Sequence, residues 1–163
     1  VIKFAAKYNE NAHRLLANQG SLLALALYFC ARVIGDVYMV VMEYIPESRG
    51  QSTGSRSSTD GSSPPQPVPA VVRRDISKGL DLLRKQDLVF GNLRETNLFC
   101  LAENGGRVLF ADFGGVGRDR VDKHSACLNP AVGLGVDRGQ VMRKVHDRRN
   151  LERLMERLSC RAS

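Results

Sequence analysis

Three side chains that carry oxygen atoms are candidates for holding a metal ion. Asn92 is followed five residues later by Asn97, and Asp112 begins an Asp-Phe-Gly tripeptide after two short apolar stretches. Carboxylate and amide oxygens are suitable ligands for Mg²⁺, and phosphoryl transfer depends on positioned charge more than on covalent chemistry. Side chains of these types could take part in metal-assisted phosphoryl transfer, and the alternative is that Asn97 and Asp112 are ordinary loop residues.

The stretches around these residues resemble two motifs of protein kinases. Residues 90–97 read Phe-Gly-Asn-Leu-Arg-Glu-Thr-Asn, and residues 109–114 read Leu-Phe-Ala-Asp-Phe-Gly. Kinases have a catalytic loop of the form His-Arg-Asp-Leu-x-x-x-x-Asn, then a hairpin and Asp-Phe-Gly. The resemblance implies ATP and Mg²⁺ as cofactors, with Asn97 and Asp112 on the metal.

Asn92 occupies the position at which a kinase has the aspartate that accepts the proton of the substrate hydroxyl. An amide is nearly isosteric with a carboxylate, so the fold should tolerate it, but it cannot accept a proton at neutral pH. Loss of a general base typically costs a factor of about 10²–10⁴ in rate. The resemblance therefore implies a nucleotide site with impaired phosphoryl transfer, as in a pseudokinase.

Upstream segments resemble further kinase motifs in the correct order. Val-Ile-Lys at the start of the chain resembles the strand whose lysine, here Lys3, contacts the α and β phosphates. Glu10 lies on the following helix, where a kinase has the carboxylate partner of that lysine, although the usual acidic position falls on Asn11. Residues 38–45 resemble the strand that leads into the hinge. The resemblance implies that Met42 is the gatekeeper residue and that the backbone groups of Glu43 and Ile45 would hydrogen-bond adenine.

A closer resemblance is to the divergent kinase-like proteins of mushroom-forming (basidiomycete) fungi. It is carried by Tyr8, His13, Leu16 and Ala17, by residues 89–94 with Asn97, by Leu128-Asn129-Pro130 and by His146-Asp147. We interpret His13 as a helix-packing residue. His146-Asp147 lies far along the chain from position 92, and we interpret it as a capping or packing pair rather than a catalytic dyad.

Composition divides the chain into three regions. Residues 1–46 and 70–163 are globular in composition, whereas residues 47–69 are rich in Ser, Gly and Pro and contain one aliphatic residue, which predicts a disordered insertion. Helices are predicted over residues 9–18, 72–88 and 141–158, with Gly20 ending the first. A hairpin is predicted between 27–33 and 37–45, and short strands over 88–90, 98–101 and 108–111, the last two joined at Gly105-Gly106.

These elements predict a single α+β domain of the protein-kinase-like, two-lobe type. Residues 1–46 would form a partial N-lobe with the hinge, and residues 70–163 a mainly helical C-lobe. The given sequence begins at Val1, so no Gly-rich loop precedes Lys3, and we expect a truncated domain whose N-lobe sheet lacks two strands. An apolar sheet face would then be exposed, which predicts a chain that is marginally stable or prone to aggregate alone.

Charge and cysteine content narrow the remaining classes. Lys and Arg number 24 against 17 Asp and Glu, a net charge of +7, with much of the excess in residues 138–161. Acidic residues are interspersed there and aromatic residues are absent, so a solvated helix face is favoured over nucleic-acid binding. The four cysteines are scattered, which predicts inert thiols. No signal peptide or membrane-length apolar run is seen, which predicts an intracellular protein, cytoplasmic or nuclear.

Three functions stay open from sequence. The first is a degraded kinase-like domain that binds nucleotide, with an unknown protein partner or substrate. The second is a weakly active phosphotransferase acting on Ser/Thr or on a small molecule. The third is a non-catalytic scaffold, or a basic surface for nucleic acid on the C-terminal helix.

Overall fold

The structure is a computed structural model that describes residues 1–18, 22–46, 50–52, 69–101, 106–126 and 135–161. Its strands and helices, numbered in chain order, are β1 (Ile2–Ala5), α1 (Glu10–Asn18), β2 (Leu27–Arg32), β3 (Tyr38–Met42), β4 (Gly50–Ser52), α2 (Pro69–Lys85), β5 (Leu88–Val89), β6 (Leu98–Leu101), β7 (Arg107–Phe110), β8 (Gly117–Arg118) and α3 (Lys144–Arg161). Within these residues the strands form three small antiparallel sheets, ordered β1-β3-β2, β4-β6-β7 and β5-β8.

The first sheet confirms the predicted hairpin, since β2 and β3 pair directly and antiparallel. Gly35 and Asp36 in the connection have φ of +78° and +59°, so the turn uses the backbone region that glycine and aspartate tolerate best. β1 pairs with the other edge of β3, and Lys3 lies opposite Val40. Val40 is fully buried, so Lys3 stands on the inner face of the sheet.

Helix α1 begins where Asn9 accepts a hydrogen bond from the Ala12 amide through its side-chain oxygen at 3.0 Å. This is the usual chemistry of an N-cap residue. Its buried stripe is Ala12, His13, Leu16 and Ala17. The predicted helix is confirmed, whereas Gly20, predicted to end it, lies outside the described residues.

Strand β4 corrects part of the predicted disordered insertion. Gly50, Gln51 and Ser52 pair antiparallel with Leu101, Cys100 and Phe99 of β6. Their side chains carry no apolar strand pattern, so the pairing depends on backbone groups offered by the edge of β6, which sequence periodicity does not reveal. Residues 47–49 and 53–68 of the predicted insertion lie outside the described residues, as do Gly105 of the predicted turn and the Leu128-Asn129-Pro130 motif.

The helices α2 and α3 form one wall of the core. α2 begins at Pro69 and ends at Lys85, shortly before Asp87, whose φ of +54° is incompatible with a continuing helix. α3 begins at Lys144 rather than at residue 141, because Val141 forms an isolated bridge with Lys123. The strands β6 and β7 are confirmed near their predicted bounds.

Three phenylalanine rings, all fully buried, join the helices to the strands: Phe90, Phe110 and Phe113. Phe90 meets Phe110 and Phe113 edge-on, with centroids 4.9 and 5.9 Å apart. Gly79 on α2 lies against Phe110, where a Cβ would stand 2.4 Å from a ring carbon. Glycine inside a helix normally lowers stability. Here the absence of a side chain allows α2 to approach the Phe110 ring closely.

Two cysteines within the described residues, Cys30 and Cys100, are free thiols. Burial raises the pKa of the Cys100 thiol to about 12, which makes it a poor nucleophile. Cys127 and the side chain of Cys160 lie outside the described residues. Among the helices that the structure describes, none combines the length and the apolar character needed to cross a bilayer.

Candidate functional site

The predicted lysine and the predicted metal-binding aspartate meet directly. Lys3 Nζ lies 2.8 Å from Asp112 Oδ1, and both side chains are partly exposed. Asp112 Oδ1 also accepts the Gly114 amide at 2.9 Å. Burial would raise the pKa of Asp112, but the hydrogen bonds from Lys3 and Gly114 and the charge of Arg94 outweigh it and hold that pKa below its ordinary value. Asp112 is therefore a carboxylate at neutral pH.

Asn97 stands beside this pair because backbone bonds hold its loop against the end of β7. The Ala111 amide donates to the Asn97 carbonyl at 3.0 Å, and Ala111 immediately precedes Asp112. The buried Asn97 side chain donates through Nδ2 to the Asn92 carbonyl at 2.9 Å. This orientation leaves Oδ1 of Asn97 as the acceptor for a cation. The sequence-predicted residues Lys3, Asn92, Asn97 and Asp112 are thus gathered in one site.

Asp147 of α3 holds the loop that carries Asn92 through two hydrogen bonds to backbone amides. The Phe90 amide donates to Asp147 Oδ2 at 2.6 Å, and the Gly91 amide donates to Oδ1 at 2.9 Å. Burial raises the pKa of Asp147 to about 6, and the two amide hydrogen bonds oppose that rise. The packing role predicted for His146-Asp147 is confirmed. Although Asp147 lies far along the chain from Asn92, the fold brings it into a hydrogen bond with Gly91, the residue next to Asn92.

His13 supports the ring of the Asp-Phe-Gly motif. Its imidazole stacks on Phe113 with centroids 4.4 Å apart and planes 10° from parallel. His13 Nε2 lies 2.7 Å from the Leu25 carbonyl, and Nδ1 lies 2.6 Å from the Tyr8 hydroxyl. A carbonyl only accepts, so Nε2 carries the proton and Nδ1 accepts from Tyr8. Burial lowers the pKa of His13, which keeps it neutral, and the predicted packing role is confirmed.

Glu10 does not meet Lys3. Its carboxylate lies 2.7 Å from Arg14 Nε, one turn along α1. Residues four apart on a helix are neighbours, so Arg14 is the nearer cation, and Lys3 takes Asp112 as its partner instead.

The segment predicted to hold adenine follows β3. Met42 is buried, and its amide and carbonyl pair with Val1. The Glu43 amide donates to the Ala26 carbonyl at 2.9 Å, so this amide, one of the backbone groups predicted to bind adenine, is already paired within the protein. Ile45 is half-buried against the core.

Arg94 is a site residue to which no role was assigned from the sequence. Its Nε is buried and makes no hydrogen bond within the described part of the chain, and its charge helps to lower the pKa of Asp112. A cation placed two residues after Asn92 suits an anionic ligand beside Asp112. The sequence pointed to Arg94 only through its position in the stretch that resembles the kinase catalytic loop.

The donors fit Mg²⁺. Both described contacts of Asp112 use Oδ1, which leaves Oδ2 for a cation, and Asn97 offers an amide oxygen. Within the residues that the structure describes, no group of three or more His, Cys, Asp or Glu could hold a metal ion. Mg²⁺ is commonly bound by one or two protein ligands together with phosphates and water, so a metal here would require the nucleotide.

Comparison with known proteins identifies the fold. Of the 278 chains of solved structures that match, one is the kinase PK-1 of Cydia pomonella granulovirus. Its TM-score is 0.65 at 13% sequence identity, and the match covers 95% of this chain and 58% of the viral chain. No protein-family model and no curated protein matches.

The chain therefore has a kinase-like fold, as the motifs predicted, and spans a little more than half the length of the viral kinase that it matches. The viral neighbour gives no support to the closer resemblance to fungal proteins, which stays a prediction.

Proposed function

We propose that this chain is a kinase-like domain that binds ATP with Mg²⁺ and has impaired phosphoryl transfer. The observation that most directly supports the proposal is the ion pair between Lys3 Nζ and Asp112 Oδ1 at 2.8 Å. In addition, the Asn97 carbonyl accepts a hydrogen bond from the amide of Ala111, the residue before Asp112. A cation, a carboxylate and an amide oxygen in one partly exposed site are what a phosphate chain with its metal requires.

Each residue takes a distinct part in binding. Asp112 and Asn97 would hold Mg²⁺, which when bound would neutralise charge on the phosphates. Lys3 and Arg94 would supply cations to the phosphates. Met42 and the backbone of Glu43 and Ile45 would line the adenine site, whereas Glu10 pairs with Arg14.

Asn92 limits the chemistry. The loop is held in place by Asp147 and Asn97, so the substitution removes the proton acceptor while the loop stays positioned. We expect phosphoryl transfer to be slowed by a factor of about 10²–10⁴.

A thermal shift with Mg-ATP tests binding. At a 100-fold excess over Kd, a ligand stabilises the folded state by about 2.7 kcal/mol, which corresponds to a rise of roughly 5–10 °C in Tm for a chain of this size. Asp112→Ala should abolish the rise, whereas Asp81→Ala, which removes an exposed carboxylate from α2, should retain it. No shift in folded wild-type protein at millimolar Mg-ATP would refute the proposal.

A weakly active phosphotransferase, acting on Ser/Thr or on a small molecule, is the second candidate, and the ordered loop favours it. Asn92→Asp should then raise the transfer of labelled phosphate from ATP to protein or small-molecule acceptors. If neither form transfers phosphate although both bind ATP, this candidate fails and the binding function stands.

The finer assignments follow from the same proposal. We place β1, α1, β2 and β3 in a partial N-lobe and the elements from α2 onward in the C-lobe. We further propose a relation to the fungal kinase-like proteins and an intracellular location. Cell imaging of the tagged chain tests the location, and secretion into the medium would exclude it.

A further inference from the structure

The first sheet has an apolar face turned away from the core. Val40 and Met42 of β3 are buried on the inner face, so their neighbours along the strand occupy the other face. The strand register places Ile2 and Phe29 opposite Val41, and Phe4 and Ala31 opposite Met39. We call this set the outer sheet face: Ile2, Phe4, Phe29, Ala31, Met39 and Val41.

The outer sheet face is uncharged and contains large exposed side chains. Phe4 is 63% exposed, Ile2 62% and Phe29 44%. Scattered exposed apolar residues are normal, but a contiguous apolar patch marks an interaction surface. The six residues of the outer sheet face carry no charge, so charge complementarity within this set does not select its partner.

We propose that the outer sheet face packs against the same face of a second copy, forming a two-fold dimer of stacked sheets. A pleated face with alternating side chains is self-complementary when two sheets pack about 10 Å apart. A two-fold axis makes the patch its own partner, and it allows Phe4 and Phe29 of one copy to contact the aromatic rings of the other.

The available area fits a weak dimer. An aromatic side chain buries about 150–250 Å², so the exposed parts of Phe4 and Phe29 supply roughly 200 Å². Ile2 and the half-exposed neighbours bring one face to about 400 Å², and two faces to about 800 Å². Stable specific interfaces bury about 1,200–2,000 Å² in total, and weak ones less. We therefore expect association in the range of about 10–100 µM, a weak-complex range.

Net charge gives this dimer an unusual salt dependence. Two copies of +7 repel each other, and salt screens that repulsion while leaving the apolar contact intact. Dimerisation should therefore strengthen as salt is raised, whereas an association held by ion pairs would weaken.

Sedimentation velocity of the full chain over a concentration series, at low and high salt, tests the proposal. We expect a monomer–dimer equilibrium that shifts toward dimer with salt. Phe4→Ser should weaken it at least tenfold. Ile34→Ser is the matched control, since Ile34 is 99% exposed but lies in the β2–β3 turn, off the face. Ile2→Ser provides a second test on the face, and circular dichroism verifies that each variant folds.

Several results would overturn the proposal. These are a monomer at all concentrations and salts, aggregation without a discrete dimer, or a dimer unaffected by both Phe4→Ser and Ile2→Ser. Equal loss of dimer in Ile34→Ser would also overturn it, because the effect would then not belong to the outer sheet face.

Discussion

The substitution Asp147→Asn tests how α3 fixes the loop that carries Asn92. Asp147 is fully buried and accepts the Phe90 and Gly91 amides on separate oxygens. Asparagine keeps the shape but offers one acceptor oxygen, so one amide faces an NH₂ group. An unsatisfied buried donor costs about 1–3 kcal/mol, and we expect the free energy of unfolding to fall by that amount near pH 4, where Asp147 is protonated and therefore neutral like asparagine.

The pH dependence of this loss follows from the raised pKa. The folded pKa of Asp147 is about 6, against an ordinary value of 3.8, so between these values the folded state binds the proton more tightly. Its stabilising contribution is therefore fully present below about pH 3.8 and is lost as the pH rises through about 6. A shift of about 2 pH units corresponds to roughly 3 kcal/mol. Asparagine has no such contribution.

Urea denaturation of both proteins between pH 7 and pH 4 measures the effect. Comparing the two proteins at each pH cancels the titration of other groups. We expect the wild type to gain up to about 3 kcal/mol in free energy of unfolding relative to the variant on acidification. A constant difference would mean that Asp147 does not titrate in this range. A relative loss by the wild type would mean that the two amide bonds lower the pKa of Asp147, and either result would refute the reasoning.

Three further predictions concern packing and charge. Gly79→Ala should lower the free energy of unfolding in urea by about 1–3 kcal/mol, despite alanine's better helix propensity, because the new Cβ overlaps the Phe110 ring; an unchanged or raised value would contradict this. His13→Leu should cost about 1–3 kcal/mol by removing its two buried hydrogen bonds. Because the folded pKa of this histidine is lowered, the wild type loses stability as the pH falls below about 6.5. That pH-dependent loss should be absent from the variant, and an identical pH profile in the two proteins would contradict the prediction. Arg73→Ala should lower the free energy of unfolding in urea by no more than about 1 kcal/mol, although Arg73 makes two hydrogen bonds to Glu152 at 2.8 and 3.0 Å, because both side chains are about half exposed; a larger drop would contradict this.

The order of motifs along the chain was sufficient to predict the fold and the group around Asp112. Lys3 lies on a strand that the resemblance of Val-Ile-Lys to a kinase motif indicated, and the hairpin after Asn97 brings Asp112 beside it. The partner of Lys3 was not predictable in the same way. Glu10 has Arg14 one turn away, and only the folded geometry decides between competing cations.

Long-range contacts account for the rest. Asp147 lies 56 residues from Gly91, inside a helix whose charge pattern indicates a solvated face, so nothing local predicts its contact with the loop. Strand β4 is likewise not predictable from the sequence, because Gly50, Gln51 and Ser52 show no apolar alternation. They form a strand by pairing with the edge of β6. Arg94 was present in the motif, but only the structure shows that its Nε is buried and makes no hydrogen bond to any residue that the structure describes.

Isothermal titration calorimetry of the folded chain with ATP, in the presence and absence of Mg²⁺, tests the central proposal most directly. We expect saturable binding at one site with Mg²⁺, weaker binding without it, and loss of the Mg²⁺-dependent part in Asp112→Ala. Absence of any ATP binding by a protein shown to be folded, or binding unchanged in Asp112→Ala, would contradict the account.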